Sequence, residues 1–126
     1  MQLGISARNA RLDAIETAVG ASPLLKIMTG SAPADCATAS TGTVLVTMTL
    51  PSDWMSAASA GSKAKLGTWQ DTSADATGTA GYFRIFDSAG SVCHIQGTVT
   101  LTGGGGDMTL DNTSIATGQS VTIATF

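Results

Sequence analysis

Residues 82–101 read YFRIFDSAGSVCHIQGTVTL, and this stretch of the chain decides the fold. Its first part, Tyr82–Asp87, is rich in aromatic and β-branched residues, turn-forming residues follow, and a second strand pattern runs over 92–101. The pattern predicts a β-hairpin. Apolar and polar residues alternate along the second strand, so one of its faces should pack against a partner sheet through Cys93, Ile95, Val99 and Leu101.

The composition describes one domain with an unusually neutral surface. A chain of 126 residues is long enough to bury a core of its own. Charged residues make up only 12% of the chain, against about 25% in an average soluble protein. Such a surface gives little repulsion between molecules, so we expect much of it to lie against neighbours, in a homo-oligomer or a larger assembly.

The charge pattern and the lack of long apolar runs limit the classes of binding partner and the cellular compartments that we expect for this chain. A net charge of −3 and six scattered Lys and Arg residues argue against direct nucleic-acid binding. No run of about 18 apolar residues and no apolar N-terminal leader exist, so we expect no membrane span and no signal peptide. These features favour use in the cytosol, or in a particle assembled there. In that compartment Cys36 and Cys93 are expected to be buried or half-buried thiols rather than a disulfide.

The N-terminal segment predicts one amphipathic helix over Leu3–Val19. Alanines recur along it, and Gly20 followed by Pro23 ends it. Helical spacing places one apolar stripe on its surface, made of Ile5, Leu12, Ile15 and Val19.

The charges of this helix are placed against its macrodipole. Arg8 and Arg11 lie in its N-terminal half, whereas Asp13 and Glu16 lie in its C-terminal half. Two interpretations stay open. Either the charged edge of a docking helix meets another subunit, or an ordinary helix packs on its own sheet and its charges are solvated.

The remainder of the chain predicts short strands separated by turns. Together with the hairpin there are about seven strands, the others covering 24–29, 43–50, 65–70, 108–112 and 120–126. A short turn of helix is predicted within 52–61. The predicted fold is mainly β: an antiparallel β-sandwich, jelly-roll-like or a small barrel, with an N-terminal α-helix. Residues 1–22 would form the helix or arm, and 23–126 the β-sandwich domain.

No motif in the chain predicts a catalytic site, a cofactor or a metal centre. Cys93 and His94 are neighbours in a strand, so their side chains point to opposite faces and fit neither a metal site nor a nucleophilic pair. We expect His94 to face outward or to lie at an interface. The glycines 103–106 precede Asp107 instead of a Gly-Lys-Ser/Thr motif, which indicates a hinge or loop and not a phosphate site.

The acidic and aromatic residues bear on two further kinds of site, a structural cation site and a sugar-binding cleft. A structural cation would need several oxygen ligands, but no EF-hand spacing is present among Asp71, Asp75, Asp107, Asp111 and Asn112. A single Glu and few aromatic residues disfavour a sugar-binding cleft. Trp54 and Trp69 are expected to be anchors of the core or of an interface.

Four segments resemble small virion-associated structural proteins of tailed bacteriophages and prophages. Together they span nearly the whole chain: ARNARLDAIETAVGASPLLKIMTGSAPADCATASTGTVL at 7–45, LPSDWM at 50–55, DTSADATGTAGYFRIFD at 71–87 and GTVTLTGGGGDMTLDNTSIATGQSVTI at 97–123. The resemblance implies a structural protein of the virion, assembled in the cytoplasm of a bacterial host. It implies no catalytic residues.

Within the virion, a head decoration or cement protein is the leading hypothesis, with the major capsid protein or other virion proteins as partners. The helix would then carry the protein interface, through Arg8, Arg11, Leu12, Ile15 and Val19. A structural protein of the neck, tail or fibre is the alternative. A third hypothesis is a host-surface carbohydrate-binding or hydrolytic module, which the scarcity of aromatic residues disfavours.

Overall fold

The computed structural model describes all residues from 1 to 126 and contains one helix and eight strands. The helix α1 is Ile5–Val19. The strands are β1 Leu24–Thr29, β2 Val44–Thr49, β3 Trp69–Asp71, β4 Gly78–Phe86, β5 Cys93–Leu101, β6 Met108–Leu110, β7 Ser114–Ile115 and β8 Val121–Ile123. The main sheet has the order β2-β1-β4-β5-β6, β7 pairs with β4, and β3 pairs with β8 in a second small sheet.

The predicted hairpin forms the centre of the main sheet. Strands β4 and β5 pair antiparallel, and β4 pairs on its other side with β1. The turn is closed by Asp87, whose Oδ1 accepts hydrogen bonds from the backbone N–H groups of Ser91 and Val92, at 2.8 and 3.1 Å. These bonds hold the pKa of the Asp87 carboxyl below its usual value.

The prediction of a mainly β fold with an N-terminal helix is confirmed, with a difference in the sheet. Strands β5 and β6 run parallel, so the main sheet is mixed and not purely antiparallel. It curls, and the description as a sandwich or barrel fits it loosely. The two-residue strand β7 is too short to give a periodic signal, which is why the sequence predicts seven strands and not eight.

The short helical turn predicted within 52–61 is wrong. This segment is irregular, with isolated bridges between Met55 and Lys65 and between Ser59 and Ser62. Ala60 and Gly61 have positive φ angles of 53° and 77°, which a right-handed helix does not allow. The predicted strand over 65–70 likewise begins only at Trp69.

The core fills one face of the main sheet and the space between it and the smaller sheet. Trp54 and Trp69 are both fully buried, as expected of core anchors, with ring centroids 5.9 Å apart. Their indole N–H groups donate to the backbone oxygens of Gly20 and Leu66, each at 3.1 Å. Phe126 packs on this cluster, 5.2 Å from the Trp69 ring and 5.6 Å from the Phe83 ring.

A β-bulge in β5 changes which face Cys93 occupies. Ile85 pairs with Ile95, but the next residue, Phe86, pairs with Cys93, so His94 is the extra residue. Cross-strand partners point to the same face of the sheet. Cys93 therefore points to one face and Ile95 to the other, whereas the sequence predicted that both point to the same face. His94 is exposed, in agreement with an outward-facing histidine. The predicted inward position of Leu101 is wrong too, because its side chain is exposed.

The second face of the sheet is covered by the segment 31–42, which is anchored on Arg84. The side chain of Arg84 is 1% exposed and forms no ion pair. Its guanidinium donates to the backbone oxygens of Asp35 and Thr38, at 2.9 and 2.8 Å, to Ser40 Oγ at 3.2 Å, and twice to Gln96 Oε1. Gln96 in turn donates from Nε2 to a further backbone oxygen of the segment, at 2.8 Å. The segment therefore replaces water around a buried cation.

The expectation of two free thiols is wrong, because Cys36 and Cys93 form a disulfide. Their Cα atoms are 5.2 Å apart, within the usual range for a bridge. The pairing follows from two features that the sequence pattern does not reveal. The bulge turns Cys93 toward the covered face, and the bonds from Arg84 hold Cys36 above that face.

Replacing Phe126 by Ala should lower the free energy of unfolding by about 2 kcal/mol, roughly half of the loss at a fully buried Phe. The reason is that the half-buried ring closes the cluster around Trp69. Urea unfolding at fixed pH measures the change. Val92→Ala, at an exposed position of the hairpin turn, is the control and should stay within about 0.5 kcal/mol of the natural chain. Equal losses in both variants would contradict the packing role of Phe126.

The Cys36→Ser/Cys93→Ser variant should be less stable than the natural chain by about 2–4 kcal/mol, because the bridge closes a long loop in the unfolded chain. The natural chain treated with a strong reductant should show the same loss. Thermal unfolding with and without reductant measures both. A natural chain whose stability does not respond to reductant would show that the two thiols are not bridged.

Candidate interaction surface

The helix α1 is attached to its own domain through polar contacts with the segment 55–65. Asn9 Oδ1 accepts a hydrogen bond from the backbone N–H of Gly61 at 2.8 Å, and Asp13 Oδ1 accepts one from that of Ala58 at 3.0 Å. Only Val19, in its last turn, is buried in the core. The helix therefore contacts its own domain mainly through polar groups, and most of its apolar stripe is not buried.

A buried lysine explains the unusual position of the acidic residues. Lys63 Nζ lies 2.6 Å from Asp13 Oδ1 and 2.8 Å from Glu16 Oε2, and the Lys63 side chain is 3% exposed. Burial alone would lower the pKa of Lys63, but the bonds to both carboxylates outweigh it and raise that pKa. The Lys63 ammonium and the Ala58 N–H hold the pKa of Asp13 below its usual value.

The structure brings together four of the five residues predicted for a protein interface. Arg8 and Arg11 are exposed, Leu12 is half-buried and Ile15 is 45% exposed. These four line one shallow depression of about 450 Å³ beside Gly61. Val19 is separated from them, because it packs in the core of its own domain.

The structure contains an apolar groove next to this surface, which the sequence did not predict. Leu12 and Ile15 form one wall, and the facing residues come from distant parts of the chain: Met55, Ile95 and Phe126. The groove has a volume of about 210 Å³. Residues separated by 40 to 114 positions give no local pattern, so only the tertiary structure could place them around the helix.

The side chains of Arg8 and Arg11 make no hydrogen bond or ion pair with their own chain, although the Arg8 guanidinium packs against Gly61. They are three residues apart on one helix, where like charges face each other and destabilise it by a few tenths of a kcal/mol. The acidic pair at positions 13 and 16 has the same spacing, but Lys63 relieves it. The arginine pair has no such relief within the chain.

The other candidate residues support local structure. Asp107 Oδ2 accepts two hydrogen bonds from Thr98, each at 2.8 Å, which hold the pKa of Asp107 below its usual value. Asp71 and Asp75 both bind Thr47, through its N–H and its hydroxyl respectively. No three or more His, Cys, Asp or Glu side chains lie together in a geometry that could hold a metal ion.

Comparisons with protein-family models, with curated proteins and with solved structures find no match to this chain. In the structure, no helix has both the length and the apolar character needed to cross a membrane.

Replacing Lys63 by Met should lower the urea midpoint near pH 6 and loosen α1, because Asp13 and Glu16 lose their cation. The depressed pKa of Asp13 gives stability that is present above its usual value of 3.8 and is lost as the pH falls through the folded value. The raised pKa of Lys63 comes from its bonds to the two carboxylates, so the stability that it gives is present below pH 10.5 only while those partners are charged. The difference between variant and natural chain should therefore shrink between pH 6 and about pH 2.5, because Asp13 loses its charge as the pH falls through its folded pKa, which lies below 3.8.

The matched control is Lys26→Met, because Lys26 lies over the Phe86 ring and binds no carboxylate. Its difference from the natural chain should be the same at both pH values. Urea unfolding followed by helix circular dichroism measures all three proteins. A Lys63→Met effect that does not change between these pH values would rule out the proposed ion-pair contribution.

Proposed function

We propose that this chain is a non-enzymatic structural protein of a tailed-phage virion, a decoration protein that binds and stabilises the head shell. One observation carries the protein-binding part of the proposal. The outer face of α1 presents Arg8 and Arg11 without partners, together with the exposed Ile15. The resemblance of four segments of the chain to virion-associated proteins supports the proposed location in the virion.

The character of this face favours a protein partner. Arginine and large apolar side chains dominate the binding energy of protein interfaces, where they lie close to one another and lose water together. The depression that they line on α1 is wide and shallow, whereas small-molecule sites bury most of their ligand in a cleft. A partner with an apolar ridge and carboxylates would complement it.

The rest of the molecule suits a subunit that works by adding contacts. The weakly charged surface, with 12% charged residues in the chain, lowers the electrostatic cost of packing against neighbours. The disulfide and the buried Arg84 tie a long segment to the sheet. Many such domains on one shell would resist internal pressure through many modest contacts acting together.

Quantitative mass spectrometry of purified virions should find this chain at a ratio near one per major capsid protein, or one per capsomer. Such a ratio follows if each copy occupies an equivalent site on the shell. A few dozen copies or fewer would contradict the shell assignment and move the protein to the neck, tail or fibre. Its absence from the particle would overturn the virion assignment as a whole.

A further inference from the structure

We propose that the partner of the α1 face is a second copy of this chain, with the two helices packed antiparallel across a two-fold axis near Leu12. This inference rests on the proposed function, in which α1 is the contact surface, and it names the partner of that surface. The dimer would be the unit that joins the larger assembly.

The first argument is the pattern of charge along the helix. Arg8 and Glu16 are each four residues from Leu12, on opposite sides of it, and Arg11 and Asp13 are each one residue from it. A two-fold axis at this position brings the basic half of each helix beside the acidic half of the other. The same arrangement within one helix is impossible, because Arg8 and Glu16 are about 12 Å apart along its axis.

The second argument is that the acidic half keeps negative charge after its internal pairing. Two carboxylates share the single ammonium of Lys63, which leaves one net negative charge in the cluster. The side chains of Asp13 and Glu16 are 49% and 23% exposed, so both remain accessible to a cation from outside. The arginines of a second helix would supply it and would be relieved of their mutual repulsion.

The third argument is the uncovered apolar stripe. Ile5 is 55% exposed and Ile15 is 45% exposed, and they lie on either side of the half-buried Leu12. A closed two-fold interface places the same patch on both subunits, so the two Leu12 side chains would meet at the axis and the exposed apolar surface beside them would be covered by the facing helix. Most of the stability of a helix in a protein comes from packing of its apolar face, and in the single chain Val19 is the one residue of α1 that is fully packed in the core.

The size of the surface sets the expected affinity. A helix of 15 residues is about 22 Å long, so one pair of helices buries less than the roughly 1,200 Å² of a standard interface. We expect a dissociation constant on the order of 10 µM. Since opposite charges contribute, the dimer should weaken at high salt.

Sedimentation equilibrium of the full chain at concentrations around that value should show a monomer–dimer equilibrium. Arg8→Ala/Arg11→Ala should weaken the dimer at least about tenfold, equivalent to about 1.4 kcal/mol. The control Lys26→Ala/Lys65→Ala removes the same charge from other places and should leave the dimer unchanged. Equal weakening in both variants, or a monomer at all concentrations, would overturn the proposal.

Chemical crosslinking tests the antiparallel geometry. Leu12→Cys should give a covalent dimer with a short bismaleimide, because the two-fold axis brings the two introduced thiols together. Ala10→Cys, on the opposite side of the helix, is the matched control and should give none; crosslinking of Ala10→Cys alone would overturn the axis. The native Cys36 and Cys93 do not interfere, since both are in the disulfide.

The failure of this inference can be told apart from the failure of the proposed function. If the chain stays monomeric but binds shells through Arg8 and Arg11, the partner of α1 is an acidic surface of another protein. This result would overturn the dimer and leave the proposed function intact. A chain that dimerises but is absent from virions would overturn the virion role and leave the dimer standing.

Discussion

The interior of this domain depends on one buried cation. The guanidinium of Arg84 lies on the central strand of the main sheet and forms no direct ion pair, and a buried charge without partners costs several kcal/mol. Backbone oxygens of Asp35 and Thr38 and the amide of Gln96 provide the missing solvation. The segment 31–42 must therefore close over this face of the sheet. The disulfide follows, because the closed segment carries one cysteine to the other.

A second buried cation organises the outside of the domain in the same way. Lys63 recruits Asp13 and Glu16, and through them it holds α1 on the segment 55–65. Asp13 and Glu16 lie in the C-terminal half of α1, where the macrodipole disfavours acidic residues. Their ion pairs with Lys63 of the same chain compensate for this position. The interpretation of a helix that packs on its own domain holds for the residues that bind Lys63, whereas docking of α1 on another subunit stays a prediction.

Local sequence patterns predicted the strands well where the strands are long and regular. The first strand was predicted as 24–29 and occurs there, and the hairpin has both of its strands and its turn. The predictions failed where a neighbour in space overrides the local pattern. The segment 52–61 loses its helical turn because its N–H groups bind Asn9 and Asp13 instead of its own oxygens. The bulge at His94 reverses the face of Cys93, and period-two alternation cannot anticipate an inserted residue.

The sequence by itself determined the class of the fold, the central hairpin and the helix at the start of the chain. These features depend on periodicity and turn chemistry within a few residues. The tertiary structure decided the parallel pairing of β5 and β6, the disulfide and the groove beside Leu12 and Ile15. The tertiary structure also decided which charged side chains form ion pairs within the chain and which do not. The charge pairing of Lys63 with Asp13 joins side chains that are close in space but 50 residues apart in the chain, and no local pattern contains that distance.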